Sequence, residues 1–140
     1  MTRAARPLTA IVAVAAAALL LAGCSSGQVK PESDYAGEPK GVEAPSSSAG
    51  GASWATWMQG GKQFGIVLYG SSTCPPTVQS VKVVSDNRLE ATLSPASGGV
   101  CTHDLVPHTT VFATPSGVTT TSDVTVQLPD TTLTIPALRG

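Results

Sequence analysis

The sequence predicts an all-β protein: a small antiparallel β-sandwich of immunoglobulin-like type, closed by one disulfide. Three observations carry that expectation. Fourteen glycines and eleven prolines among 140 residues, with charged residues at only 12%, disfavour long surface helices and suit short strands and turns. Several stretches after Ser53 alternate apolar and polar side chains, the period of a half-buried strand. Turn residues punctuate those stretches at intervals of roughly 8–12 residues, the spacing of sandwiches and barrels. No window after Ser53 repeats apolar residues at the helical i, i+3, i+4, i+7 spacing.

The strands follow in chain order. Phe64–Tyr69 is a compact apolar run ending at Gly70. Val78–Ser85 alternates, Asp86-Asn87 supplies a turn pair tolerant of the left-handed region, and Leu89, Ala91 and Leu93 alternate with Glu90 and Thr92. Two alternating stretches around such a pair read as a β-hairpin. Beyond a Pro95–Gly99 loop, Thr109–Thr114 runs into the Pro115-Ser116-Gly117 turn. Asp123–Leu128 and Thr131–Ile135 alternate on either side of Pro129-Asp130.

The first residues have a different character. Met1–Pro7 carries Arg3 and Arg6 and no acid, and Leu8–Leu20 is apolar except for Thr9. A basic start, a short apolar run and small residues at its end describe a secretory signal. From Leu8 to Ala22 there are fifteen residues, short of the roughly 20 apolar residues needed to span a bilayer. Leu21-Ala22-Gly23-Cys24 resembles the lipobox of bacterial lipoproteins at all four positions. In that family a thioether joins the cysteine to diacylglycerol, and a signal peptidase cuts before it. The resemblance implies a signal peptide over 1–23, lipidation of Cys24, and anchoring to the outer, extracytoplasmic face of the cell membrane.

Residues 24–52 form the expected lipidated N-terminus and linker. Ser25–Ala52 holds no periodic apolar stretch and is rich in Ser, Gly and Pro, with too little apolar surface to offset the entropy of ordering. It reads as a disordered spacer with an r.m.s. span of roughly 30 Å, and Tyr35 is the residue that could pin it. Lys30 and Lys40 against Glu32, Asp34, Glu38 and Glu43 give it a charge of −2, so it is no polybasic clamp. The β-domain is expected over 53–140. A core of that size is marginal, and in an exported chain Cys74 and Cys101 read as a structural disulfide.

A second resemblance covers roughly Trp54 to Leu138. Tyr69-Gly70-Ser71-Ser72-Thr73-Cys74-Pro75-Pro76, followed by Cys101-Thr102-His103-Asp104-Leu105-Val106-Pro107-His108-Thr109, is similar to actinobacterial lipoproteins of unknown function. It implies one small extracytoplasmic β-domain and brings no activity with it.

Candidate chemistry is sparse. Eight basic against nine acidic residues leave a charge of −1, without the basic excess of a nucleic-acid binder. His103, Asp104 and His108 form the densest polar cluster, but their spacing fits no zinc pattern, so no metal or cofactor is expected. A Ser–His–Asp hydrolase would draw on Ser71 or Ser72 with His103 and Asp104, yet there is no Gly-X-Ser-X-Gly elbow. Asp86 and Glu90 flank a turn without support as a glycosidase pair, and Gly60-Gly61-Lys62 is not a P-loop. Trp54 and Trp57 either cap the core or form an exposed platform. The expected function is a non-catalytic envelope module that meets an envelope protein or a glycan by surface recognition. The alternative is small-ligand or metal binding through the His103–His108 loop or the Trp54/Trp57 face.

Overall fold

The computed structural model describes residues 27–139, so the expected signal peptide and Cys24 lie outside the described residues. The described residues form nine strands: β1 Gln28–Val29, β2 Ser33–Ala36, β3 Trp54–Met58, β4 Gln63–Gly70, β5 Val78–Ser85, β6 Arg88–Leu93, β7 Val106–Ala113, β8 Val124–Gln127 and β9 Thr132–Ile135. They form two sheets, one in the order β1-β5-β6-β8-β9 and the other β2-β7-β4-β3. Their inner faces meet in one core of Phe64, Ile66, Leu68, Phe112 and Trp57 from one sheet against Val78, Val81, Leu89, Val124, Val126 and Ile135 from the other. Phe64 stacks on Phe112 at 5.5 Å between centroids and receives Trp57 edge-on at 6.4 Å. The chain is therefore an all-β sandwich.

Its strand order departs from the immunoglobulin arrangement, in which the sheets run ABED and CFG. After β6 the chain crosses to the other sheet as β7 and returns as β8, which makes β8 parallel to β6, with Arg88 opposite Thr125. The remaining neighbours are antiparallel.

The larger correction concerns residues 27–52, which are not a disordered spacer. β1 pairs with β5 in one sheet, and β2 pairs along β7 in the other, Ser33 opposite Val111 through Ala36 opposite His108. Beyond β2, Gly37 N donates to Pro107 O, Thr109 Oγ1 donates to Gly37 O at 2.6 Å, and Ser46–Ser48 makes a 3-10 turn. Backbone groups of edge strands supplied the stabilisation that composition could not reveal. Tyr35, the expected pin, lies in β2 opposite Thr109.

This strap explains why the apolar run of β4 does not alternate in burial. Phe64, Ile66 and Leu68 face the core between the sheets, while Val67, on the opposite face, is also fully buried. Its neighbours there are Trp54 and Thr109 by register, and Val111 lies opposite Gly65. Pro39, from the strap, lies near the Cβ that Gly65 lacks. A strand covered on both faces reads as a continuous apolar run.

At one end of the sandwich Asn87 ties hairpin to loop. It is the second residue of the β5–β6 turn and has φ 50°, in the left-handed region. Its Oδ1 accepts from Thr119 N at 2.7 Å, and its Nδ2 donates to Thr119 O at 3.1 Å and Ser122 O at 3.2 Å. Asn87→Gly keeps the backbone conformation and removes these bonds, for an expected loss of about 1–2 kcal/mol. Asn87→Ala adds the left-handed penalty of about 1 kcal/mol. Urea unfolding of both variants checks the order, and an alanine variant as stable as the glycine one would refute the backbone contribution.

Candidate functional site

Cys74 and Cys101 are bonded, with 5.4 Å between Cα atoms, and they join the β4–β5 loop to the β6–β7 loop at the end of the sandwich opposite Asn87. Gly70 closes β4 where Pro76 folds back, and a Cβ on Gly70 would stand 2.6 Å from the Pro76 ring, so only glycine fits there.

A hydroxyl network surrounds the disulfide. Ser71 Oγ lies 2.8 Å from Thr102 Oγ1 and 3.1 Å from Thr73 Oγ1, and Thr102 N donates to Thr73 Oγ1 at 3.0 Å. Asp104 accepts from Ser72 N at 3.0 Å and from the Thr102 hydroxyl. The Ser72 and Thr102 bonds hold its carboxyl down at about 2, although the side chain is fully exposed. Asp104 is therefore a standing anion on a loop whose hydrogen bonds already point at it. Because the folded pKa is depressed, the contribution to stability is present above the ordinary carboxylate range and fades as pH falls through that range toward 2. A carboxyl carbon NMR titration should find the Asp104 midpoint near 2, and a midpoint in the ordinary range would contradict the network.

Next to this cluster lies a depression of about 250 Å³ with Leu68, Tyr69, Pro76, Leu93, Leu128 and Pro129 in its walls and Asp130 at its rim. Sites for drug-sized ligands occupy roughly 300–1,000 Å³, so this one suits a single apolar side chain. Val100, one residue before Cys101, is 96% exposed. The Tyr69 hydroxyl donates to Glu38 of the strap, and that bond together with partial burial pushes the phenol above its ordinary value. The buried Trp54 indole N–H has no hydrogen-bond partner among the described residues.

The sequence-derived candidates separate. Trp54 is 5% exposed and Trp57 8%, on opposite faces of β3, so they do not form an exposed platform. Trp57 packs in the core with its indole N–H on Pro136 O at 2.8 Å, and Trp54 lies under the strap beside Val67. Their apolar neighbours on both faces of the sheet decided this. His108 is buried in β7, where Nε2 lies 3.3 Å from Asp34 Oδ1 of β2. His103 stays on the exposed loop, and no hydrogen bond among the described residues links it to Asp104, Ser71 or Ser72. The His103–Asp104–His108 set therefore does not converge, because β7 carries His108 into the sandwich. Among the described residues no group of three or more His, Cys, Asp or Glu side chains could hold a metal ion. Sequence reasoning missed the Ser71–Thr102–Asp104 network as a unit, although the disulfide pairing it drew brings those loops together.

No protein-family model, no curated protein and no solved structure matches the chain.

Proposed function

We propose that this chain is an extracytoplasmic lipoprotein, anchored to the outer face of the cell membrane through lipidated Cys24, whose β-sandwich acts without catalysis as a recognition module for an envelope protein. The observation that carries the recognition reading is the disulfide-tied end. There, loops preset by hydrogen bonds and a fully exposed Val100 share one end of the sandwich with an apolar depression the size of one side chain. Rigid loops lose little freedom on binding, which favours affinity. Burial of both tryptophans removes the stacking platform on which a glycan reading would rest. Asp104 spends its hydrogen bonds on Ser72 and Thr102 rather than on orienting a histidine, which favours a non-catalytic role. The anchor rests on the basic start, short apolar run and Leu-Ala-Gly-Cys of the sequence.

Two measurements test the two halves. Intact mass of the membrane-extracted chain should show a start at Cys24 with a diacylglyceryl adduct, whereas an unmodified chain beginning at Met1 would overturn the anchor. In cells, a photoreactive residue at Val100 should give discrete protein adducts and one at Gln127, exposed on β8, should not. Adducts at neither position, or equally at both, would overturn the recognition surface.

A further inference from the structure

We infer that the sandwich stands on the membrane by its Asn87 end, with the β5–β6 turn and the 115–122 loop against an anionic phospholipid surface and the disulfide loops facing away. This rests on the Cys24 anchor proposed above and concerns what that anchor does to the fold.

The reach of the chain is the first observation. Only residues 25–27 separate Cys24 from β1, and four extended residue steps cover at most about 14 Å. β1 runs antiparallel to β5, with Gln28 opposite Lys82 and Val29 opposite Val81, so the N-terminal end of β1 faces the Ser85 end of β5. From Lys82 to Asp86 is also four residues, about 13 Å of strand. A lipid on Cys24 can therefore lie no farther than about the level of the Asp86-Asn87 turn. A body on a long tether would tumble freely, whereas one held this closely must present one end to the lipid.

Charge is the second observation. Three of the four basic residues after Ser53, Lys62, Arg88 and Arg139, lie at that end and are exposed, while the fourth, Lys82, sits farther along β5 opposite Glu90. Arg88 follows the turn, and Lys82 lies opposite Gln28. Lys62 follows Gly61, whose missing Cβ would meet Thr120 and Leu138. Arg139 follows Leu138, whose N donates to Thr120 O. The carboxylates at the same end are Asp86, exposed in the turn, and Asp123, which accepts from Ala137 N. Glu90 lies farther along β6, opposite Lys82, and Glu32 is on the flank, bonded to Gln63. The disulfide end carries Asp104 and, at the β8–β9 turn, Asp130, with no Lys or Arg on its loops. An anionic surface attracts basic groups within about a Debye length, so this polarity turns the Asn87 end toward it and the disulfide end away.

Apolar exposure does not separate the two ends, because Val84 and Leu138 are exposed at this one and Val100 and Leu105 at the disulfide end, so reach and charge carry the orientation. With β5 about 26 Å long, the disulfide loops would stand roughly 30 Å from the headgroups, open to a partner in solution.

The test uses the full chain, lipidated in a bacterial host and reconstituted in phosphatidylcholine–phosphatidylglycerol vesicles that carry a headgroup nitroxide quencher. A fluorescent unnatural residue replaces Ser116 in one sample and Ser97 in another, both exposed loop positions. Quenching is expected to be several-fold stronger at 116 than at 97, and to shrink at 116 in the K62E/R88E/R139E variant. Equal quenching, or stronger quenching at 97, on a chain whose mass shows the Cys24 adduct would overturn the orientation alone. A chain whose mass shows no lipid would overturn the anchor and the orientation with it.

Discussion

A chain that begins at Ser53 is expected to be unfolded at 25 °C, whereas one that begins at Gly27 folds. The truncation keeps seven of the nine strands and the whole inner core, so composition alone would rate it a complete domain. It removes β1 and β2, the Gly37–Thr109 bond and the strap over the outer face of the β2-β7-β4-β3 sheet. Val67 and Val111 are buried there, with Trp54 at 5% exposure alongside. Uncovering side chains of that size costs about 1.5–3 kcal/mol each, so three of them together forfeit about 5 kcal/mol or more. Domains of this kind have about 5–15 kcal/mol in all, which leaves little or nothing. Amide proton dispersion in an NMR correlation spectrum of the two chains would decide it. A dispersed spectrum from the Ser53 chain, with an unchanged urea midpoint, would show that the strap is an ornament.

That expectation also marks where the sequence stops being legible. The six strands from Phe64 to Ile135 announce themselves because each buries one alternating face or, in β4 and β7, both, and their turns carry Asp-Asn, Pro-Ser-Gly and Pro-Asp. β1 is two residues long and β2 reads Ser-Asp-Tyr-Ala, so neither has a period to detect. What orders them is a free edge on β5 and another on β7, a property of the assembled sheets rather than of the segment. β3 was hidden in a related way. Its two tryptophans are three apart and face opposite sides, so burying both requires covers on each face, and one of those covers is the strap.

The candidate site divides along the same line. The pairing of Cys74 with Cys101 follows from a cysteine count, and with it the nearness of Ser71–Thr73 to Thr102–Asp104. The parting of His103 from His108 does not, because it depends on where β7 begins. Pro107 and His108 lie inside that strand, opposite Tyr69 and Leu68, while His103 remains in the loop before it. A five-residue spacing that looks like proximity in the sequence is a passage from solvent to interior in the fold.

Replacing both cysteines, C74A/C101A, is expected to cost about 3.5 kcal/mol, from the entropy of reopening a loop with a sequence separation of 27. For a domain of this size that lowers Tm by on the order of 15 °C. The same substitution has a local consequence that separates two origins of the hydroxyl network. Thr73 and Thr102 are adjacent to the bonded cysteines, and the Thr73 hydroxyl lies between Thr102 N and Val100 O. If the disulfide holds these loops in register, its loss frees Thr102 and Ser72 from Asp104, and the Asp104 carboxyl rises from about 2 toward its ordinary value. Photo-crosslinking at Val100 should then fall as well, because the partner must order the loops itself before binding. An Asp104 midpoint that stays near 2 in C74A/C101A would mean that the hydroxyls organise the end of the sandwich by themselves. The disulfide would then stabilise the fold without shaping its recognition surface.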